Sequence, residues 1–275
     1  MSNSQRLLVI GAHPDDCGIK AGGIAAKWVE AGRDVTFLSV TNGSAGHHEM
    51  DRSEVAARRR RETEAVAELL GIEYDVFDIP DGELEPTLEY RKQLTEYIRR
   101  IDPDLVLGSR PNDYHPDHRY TAQLVRDAAY MLIVPNFCPA VAPMDSNPVM
   151  GYVADGFDKP APFEPDVVLD VDNVIDVKLD VLHCHESQMY EWLPWTFGRS
   201  GEVPTAESAR REWLETDMYR YLSENSAINV ADRYRDQLQA KYGERGAEID
   251  HCEAVEISEY GRPLTDELRE RLFFW

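Results

Sequence analysis

Short apolar runs alternate with helical spacing through the first half of the chain, and this alternation restricts the fold more than any other feature. Residues 7–12 ("LLVIGA") form an unbroken apolar run, the mark of a strand buried on both faces. Residues 18–31 then place Ile24, Trp28 and the Ala21/Ala25 pair on one helical face. The two periods return as a strand over 35–40, a helix over 53–70 that stops at Gly71, and a strand over 74–79. They return again as a helix over 88–100, a strand over 105–108 ("LVLG") and a helix over 116–132 opening on Pro116. Strands separated by helices at this spacing need crossover connections, so they pair in parallel under two helical layers. The predicted fold class is α/β: a doubly wound, mostly parallel, Rossmann-like sheet with helices on both faces and a C-terminal elaboration.

Past residue 133 the pattern breaks into a Pro-rich stretch, 134–166, that reads as a long functional loop. A late strand over 166–172, helical segments over 174–190, 206–223 and 230–242, and a strand within 254–260 follow. No repeat or linker divides the sequence, which predicts a single domain over 1–275, with its core at about 5–190 and the elaboration at 191–275. Hydrophobic residues at 43% and charged residues at 29% fit an ordinary globular chain. A formal net charge of −22 opposes binding to nucleic acid or anionic membranes, both of which reward clustered Lys and Arg. Four widely spaced cysteines without a C-x-x-C pair, an opening "MSNSQR" with no apolar signal core, and no apolar run near the ~20 residues of a membrane span predict a cytoplasmic protein with reduced thiols.

Two strand ends carry unusual chemistry. The first strand runs into "AHPDD" (12–16), and the strand at 105–108 runs into "SRPNDYHPDHR" (109–119). In open α/β sheets ligands gather at the carboxyl ends of the strands, so the two H-P-D clusters belong to one rim. Either cluster alone has a plain reading, with Asp16 and His115 capping the helices that follow them. Together they offer two imidazoles and a carboxylate, His13, His118 and Asp16, a set suited to a catalytic Zn2+ or another divalent ion. Such an ion lowers the pKa of a water and polarises a carbonyl. Asp15, turned the other way from its neighbour, is then the base, and His115 donates to the developing oxyanion or the leaving group.

These residues resemble the PIG-L/LmbE-like zinc-dependent deacetylases, which remove acyl groups from N-acetylglucosamine-type substrates. The resemblance covers most of the first 190 residues and rests on "AHPDD", Gly22–Gly23, "TNGSAG" (41–46), the Arg59-to-Glu62 spacing before "LLG", Asp81–Gly82, "HPDH" (115–118) and "HESQ" (185–188). It implies His13, Asp16 and His118 as metal ligands, Asp15 as general base, and His115 as the transition-state histidine. It further implies Arg59 and Asp81 as contacts to sugar hydroxyls. Many members carry Glu after the aspartate pair, where this chain has Cys17. The expected activity is hydrolysis of an N-acyl group from an amino sugar or small glycoconjugate; an amidase of a sugar-linked thiol conjugate and a non-catalytic metal- or sugar-binding homologue are the alternatives. The expected partner is a small N-acylated sugar, with no nucleic acid or membrane, and a homo-oligomer is left open.

Weaker features have plainer readings. His47 and His48 follow the second strand on the same rim, as solvated loop residues or substrate contacts. "HCHE" (183–186) cannot form one ligand set, because neighbours on a helix point apart, and His185 reads as a packing residue near the site. The tryptophans of "EWLPW" (191–195) read equally as packed or as sugar-stacking, and "RRRR" (58–61) as a solvated helix face with one arginine turned inward. A nucleotide-binding module is excluded, since the first turn, "GAHPDDCG", sets carboxylates where a pyrophosphate would lie.

Overall fold

The computed structural model describes residues 5–226 and 231–275. Among the described residues, seven strands form one sheet: β1 (Arg6–Gly11), β2 (Asp34–Ser39), β3 (Glu73–Val76), β4 (Leu105–Gly108), β5 (Val149–Val153), β6 (Val167–Asp170) and β7 (Cys252–Ile257). Their order is β3-β2-β1-β4-β5-β7-β6, with parallel pairing throughout except for β7, which is antiparallel to both its neighbours. The mostly parallel α/β sheet predicted from the alternation is therefore present. Helices α1 (Asp16–Glu30), α2 (Arg52–Leu70), α3 (Leu88–Ile101), α4 (Pro116–Ala129) and α5 (Ile175–Cys184) cover it.

The apolar run of β1 is unbroken because it serves two cores. Leu7 and Val9 join one that also holds Ile24 and Trp28 of α1 and Val66 of α2; Leu8 and Ile10 join another with Leu94 and Ile98 of α3 and Leu124 of α4. Successive side chains of a strand point to opposite faces, so a central strand flanked by helices on both sides has no polar face to show. Helix α2 starts on a capping box between Asp51 and Glu54 and stops at Gly71 in the left-handed conformation.

Several segments depart from the sequence reading, among them the helical segment over 206–223, which a π-helical stretch interrupts at Leu214–Tyr219. The Pro-rich stretch 134–166 contains β5, whose "VMGYV" is interrupted by Gly151 and follows directly on Pro148. The predicted helix over 174–190 is broken, with α5 ending at Cys184 and a π-helical stretch running Ser187–Trp192. The carboxyl-terminal part is woven into the sheet, since β7 lies between β5 and β6 and Leu268 and Leu272 pack in the core that holds Leu7. Residues 1–4 and residue 230, which opens one predicted helical segment, lie outside the described residues.

Glu253 of β7 ties this late segment to the first helix. Helix α1 leaves helical geometry at Ala21, and the amides of Gly23 and Ile24 donate to the Glu253 carboxylate at 2.8 and 2.7 Å. Lys178 of α5 lies 2.5 Å from the same carboxylate, with both side chains fully buried. A kinked helix frees amides that must find acceptors, and a paired buried carboxylate supplies them.

Chain direction fixes where a site can form. From β1 the chain proceeds to β2 and β3 on one side, then returns to β4 on the other. The crevice between the carboxyl ends of β1 and β4 is the topological switch point, where loops diverge and leave room for a ligand.

Candidate metal centre and active site

His13, Asp15 and Asp16 leave β1 in three different directions. The Asp16 carboxylate folds back so that one oxygen, Oδ2, accepts the amides of Ala12 and His13 at 2.9 Å each. This return needs Gly11, because a Cβ there would lie 2.6 Å from the Asp16 Cβ. Asp15 takes the cap position of α1 with φ 155° and ψ −31°, and its side chain makes no capping bond. Such a backbone is costly for a residue with a Cβ and persists where its surroundings enforce it. The strain aims the Asp15 carboxylate at Arg59, whose Nη2 lies 3.1 Å from Oδ1. Arg59 is 2% exposed and donates to the carbonyls of Pro14 at 2.6 Å and Gly43 at 3.2 Å. Gly43, at φ 67°, admits the guanidinium; a Cβ there would come within 2.4 Å of Nη1.

The end of β4 supplies the second half. His115 caps α4, its Nδ1 accepting the Asp117 amide at 3.2 Å, so the proton of the neutral ring is assigned to Nε2. His118, one turn on, donates from Nδ1 to Asp113 Oδ1 at 3.0 Å, which leaves Nε2 facing β1. His13 is oriented in the same manner: its Nε2 lies 3.1 Å from Asp81 Oδ1 and 3.3 Å from Asp117 Oδ2. His13 and His118 thus each have a carboxylate behind one ring nitrogen and turn the other nitrogen toward the shared centre, the arrangement that fixes tautomer and aim in histidine metal ligands.

These atoms converge with a carboxylate oxygen of Asp16. His13 Nδ1 is 3.1 Å from His118 Nε2 and 3.7 Å from Asp16 Oδ2, and His118 Nε2 is 3.5 Å from Asp16 Oδ2. Ligand atoms about 2.1 Å from a tetrahedral ion are about 3.4 Å apart. The imidazoles of His13, His115 and His118 also bring ring nitrogens within 4.8 Å of one another, and His13, Asp81 and Asp117 bring a ring nitrogen and two carboxylate oxygens within the same distance.

The charges favour extra positive charge at this centre. Burial pulls the His13 pKa down, but hydrogen bonds to Asp117 and Asp81 outweigh it and raise it to about 10. Burial opposes ionisation of Asp16, yet His118 and His13 hold its carboxyl well below the usual range. Asp15 goes the other way: burial raises it to about 6, against the pull of Arg59 and with the push of Asp16. His115 is lowered by burial and by its two histidine neighbours, which favours the neutral ring. Carboxylates crowded around imidazoles draw protons when no other positive charge is present, and a metal displaces those protons on binding.

The structure thus brings His13, Asp15, Asp16, His115 and His118 onto one rim. Arg59 and Asp81, implied as sugar contacts, lie at the same centre, beside Asp15 and His13; Asp81 Oδ2 also accepts the Ala45 amide at 3.2 Å. The sequence reading passed over Asp113 and Asp117, although a carboxylate two positions before His115 and one just before His118 was available as the signal. Cys17 packs under the sheet, its Sγ donating to the carbonyls of Val9 and Leu38 at 3.5 and 3.6 Å, with burial pushing its pKa up. "HESQ" braces the site from behind: Ser187 donates to both Glu62 oxygens, and Gln188 to the Gly46 carbonyl. His185 is fully buried against the Tyr74 ring. His47 pairs with Glu191 at 2.8 Å, and His48 stacks on Trp195, which stacks on Trp192. Of the four arginines, Arg59 is the one buried.

We predict that Asp113→Ala, which frees His118 to rotate, lowers metal affinity by about 10–100-fold. Metal retained on dialysis against a graded chelator checks this; unchanged affinity would remove Asp113 from the site.

A family model described as PIG-L, GlcNAc-PI de-N-acetylase, matches residues 8–129. A diacetylchitobiose deacetylase from Thermococcus kodakarensis is 35% identical over 201 residues, covering 70% of this chain and 73% of its own. A 4-oxalmesaconate hydratase from Pseudomonas putida is 27% identical over 197 residues, covering 69% of this chain and 76% of its own. In structure, the N,N'-diacetylchitobiose deacetylase from Pyrococcus horikoshii superposes with a TM-score of 0.69 at 25% identity, covering 94% of this chain and 85% of that one. The family model and the 35%-identical relative lead to one assignment: the chain belongs to the PIG-L family.

Proposed function

We propose that this protein is a metal-dependent hydrolase that removes the N-acetyl group of an amino sugar. The observation that carries the reading is the convergence of His13 Nδ1, Asp16 Oδ2 and His118 Nε2 within 3.7 Å of one another, beside an ionisable Asp15. The donor set fits a divalent ion, with zinc preferred for two imidazoles and a carboxylate. His13, Asp16 and His118 would hold it; when bound, it supplies Lewis acidity to the amide carbonyl and acidifies water.

The chain's own groups account for the proton movements. Asp15, held by Arg59, accepts a proton from the attacking water as its oxygen adds to the amide carbon. His115, neutral and protonated at Nε2, donates a hydrogen bond to the oxyanion that forms. Asp15 then returns its proton to the nitrogen as the C–N bond breaks, giving acetate and the free amine. A neutral imidazole at a helix N-terminus suits this part, since the helix dipole opposes a second positive charge beside the metal.

His115→Ala is expected to lower kcat by about 10²–10³ while metal content stays near that of the parent protein. An emptied site in that variant would make His115 a ligand. The reading itself is tested by acetate release from N-acetylglucosamine and diacetylchitobiose, before and after chelation and metal readdition. Activity that survives complete metal removal overturns it, as does hydration of 4-oxalmesaconate without any acetate release.

A further inference from the structure

The most exposed large aromatic residue at the metal centre takes no part in the chemistry above. Tyr114, 74% exposed, stands on the solvent side of the two histidines that follow it. Its ring centroid lies 5.8 Å from His115 at 87° and 5.7 Å from His118 at 73°. Phe157, from the loop after β5, continues the surface at 6.4 Å and 43°.

The backbone under both rings is pinned. Arg119 Nη1 donates to the carbonyls of Asp113 at 2.8 Å and Tyr114 at 2.9 Å. Arg110, four residues before Tyr114, forms a buried two-bond pair with Asp155 at 2.6 and 2.7 Å, and its Nη2 also donates to the Phe157 carbonyl at 2.7 Å. Asp155 Oδ1 accepts the Phe157 amide at 2.9 Å. One ion pair therefore locks the loop that carries Tyr114 to the loop that carries Phe157. Edge-on contacts with the histidines leave the large Tyr114 ring open to water beside the reacting centre. An exposed ring on fixed backbone gains from burial by a flat apolar partner at little cost in ordering.

We propose that Tyr114 and Phe157 form an aromatic platform on which the C–H face of the substrate's pyranose ring stacks, holding the N-acetyl group over His115. The proposal rests on the amino-sugar reading above and adds the residues that select a ring.

Removing the platform should weaken binding while sparing chemistry. Tyr114→Ala is expected to raise KM for N-acetylglucosamine about tenfold with kcat changed less than about threefold, and Tyr114→Phe, which keeps the ring, to stay within about twofold of the parent KM. Metal content should be unchanged in both. Saturation-transfer NMR with N-acetylglucosamine on the Asp15→Asn protein, which turns over slowly, gives a readout free of catalysis. Saturating aromatic protons should reach the pyranose C–H protons, and Tyr114→Ala added to that background should reduce the transfer several-fold. The platform is overturned if Tyr114→Phe is as impaired as Tyr114→Ala, if kcat and metal content fall with KM, or if no transfer reaches the pyranose. Tyr114-dependent transfer without acetate release would leave the platform standing and refute deacetylation; acetate release with an unaltered KM in Tyr114→Ala would do the reverse.

Discussion

Asp15→Asn is expected to lower deacetylation by about 10²–10⁴-fold, the span of a positioned general base, while leaving the protein loaded with metal. The side chain keeps its size and its place beside Arg59 but can no longer accept a proton. Metal should stay because Asp15 is turned toward the Arg59 guanidinium, 3.1 Å from Nη2, and none of its atoms belongs to the converging set. The pH profile gives a second measure of the same group. Without an ion, burial lifts the Asp15 pKa to about 6. The base works when ionised, so kcat/KM falls as pH drops through its pKa, and a bound dication moves that limb to about 6 or below. Arg59→Met removes a charge that lowers the pKa and should move the limb upward. An active Asp15→Asn protein, or an acid limb that ignores Arg59, would assign the base elsewhere.

Asp16→Asn should have the complementary phenotype: metal affinity lower by more than about 100-fold, beyond the loss typical of groups behind the ligands. The amide oxygen can still accept from Ala12 and His13, so the loop keeps its shape, but the negative charge facing both imidazoles is gone. Activity should return in part at high metal concentration, which separates a ligand from a base. Equilibrium dialysis with metal analysis decides it. If Asp16→Asn stays loaded while His115→Ala empties, the three imidazoles of His13, His115 and His118 hold the ion instead.

The alternation of periods made the parallel core legible in the sequence, because a strand buried on both faces and an amphipathic helix have different periods that short windows resolve. It also carried the site's location: once β1 and β4 are central parallel strands, "AHPDD" and "NDYHPDH" must leave the same edge. Legibility ended where packing overrode local signals. Strand β5 is hidden by its central Gly151 and the prolines around it, and π-helical turns broke a segment that reads as continuous helix. The position of β7 between β5 and β6 depends on pairing across about a hundred residues, which no local pattern encodes.

The sequence by itself determined which residue types stand at the rim, since the chain's order along each strand end is covalent. Only the tertiary structure decided where each of those side chains points and what it meets. Asp15 and Asp16 are neighbours with the same carboxyl group, yet one is strained toward an arginine from α2 and the other is folded back onto its own loop. Arg59 and Asp81, chemically able to meet a sugar, are turned to Asp15 and His13; Asp113 and Asp117, unremarkable as letters, stand behind the histidines. Roles follow from direction and environment, and both are set by contacts between segments far apart in the chain. Burial, neighbouring charge and hydrogen bonds decide whether a carboxylate is a base, a ligand or a brace, and these exist only once the strands have come together.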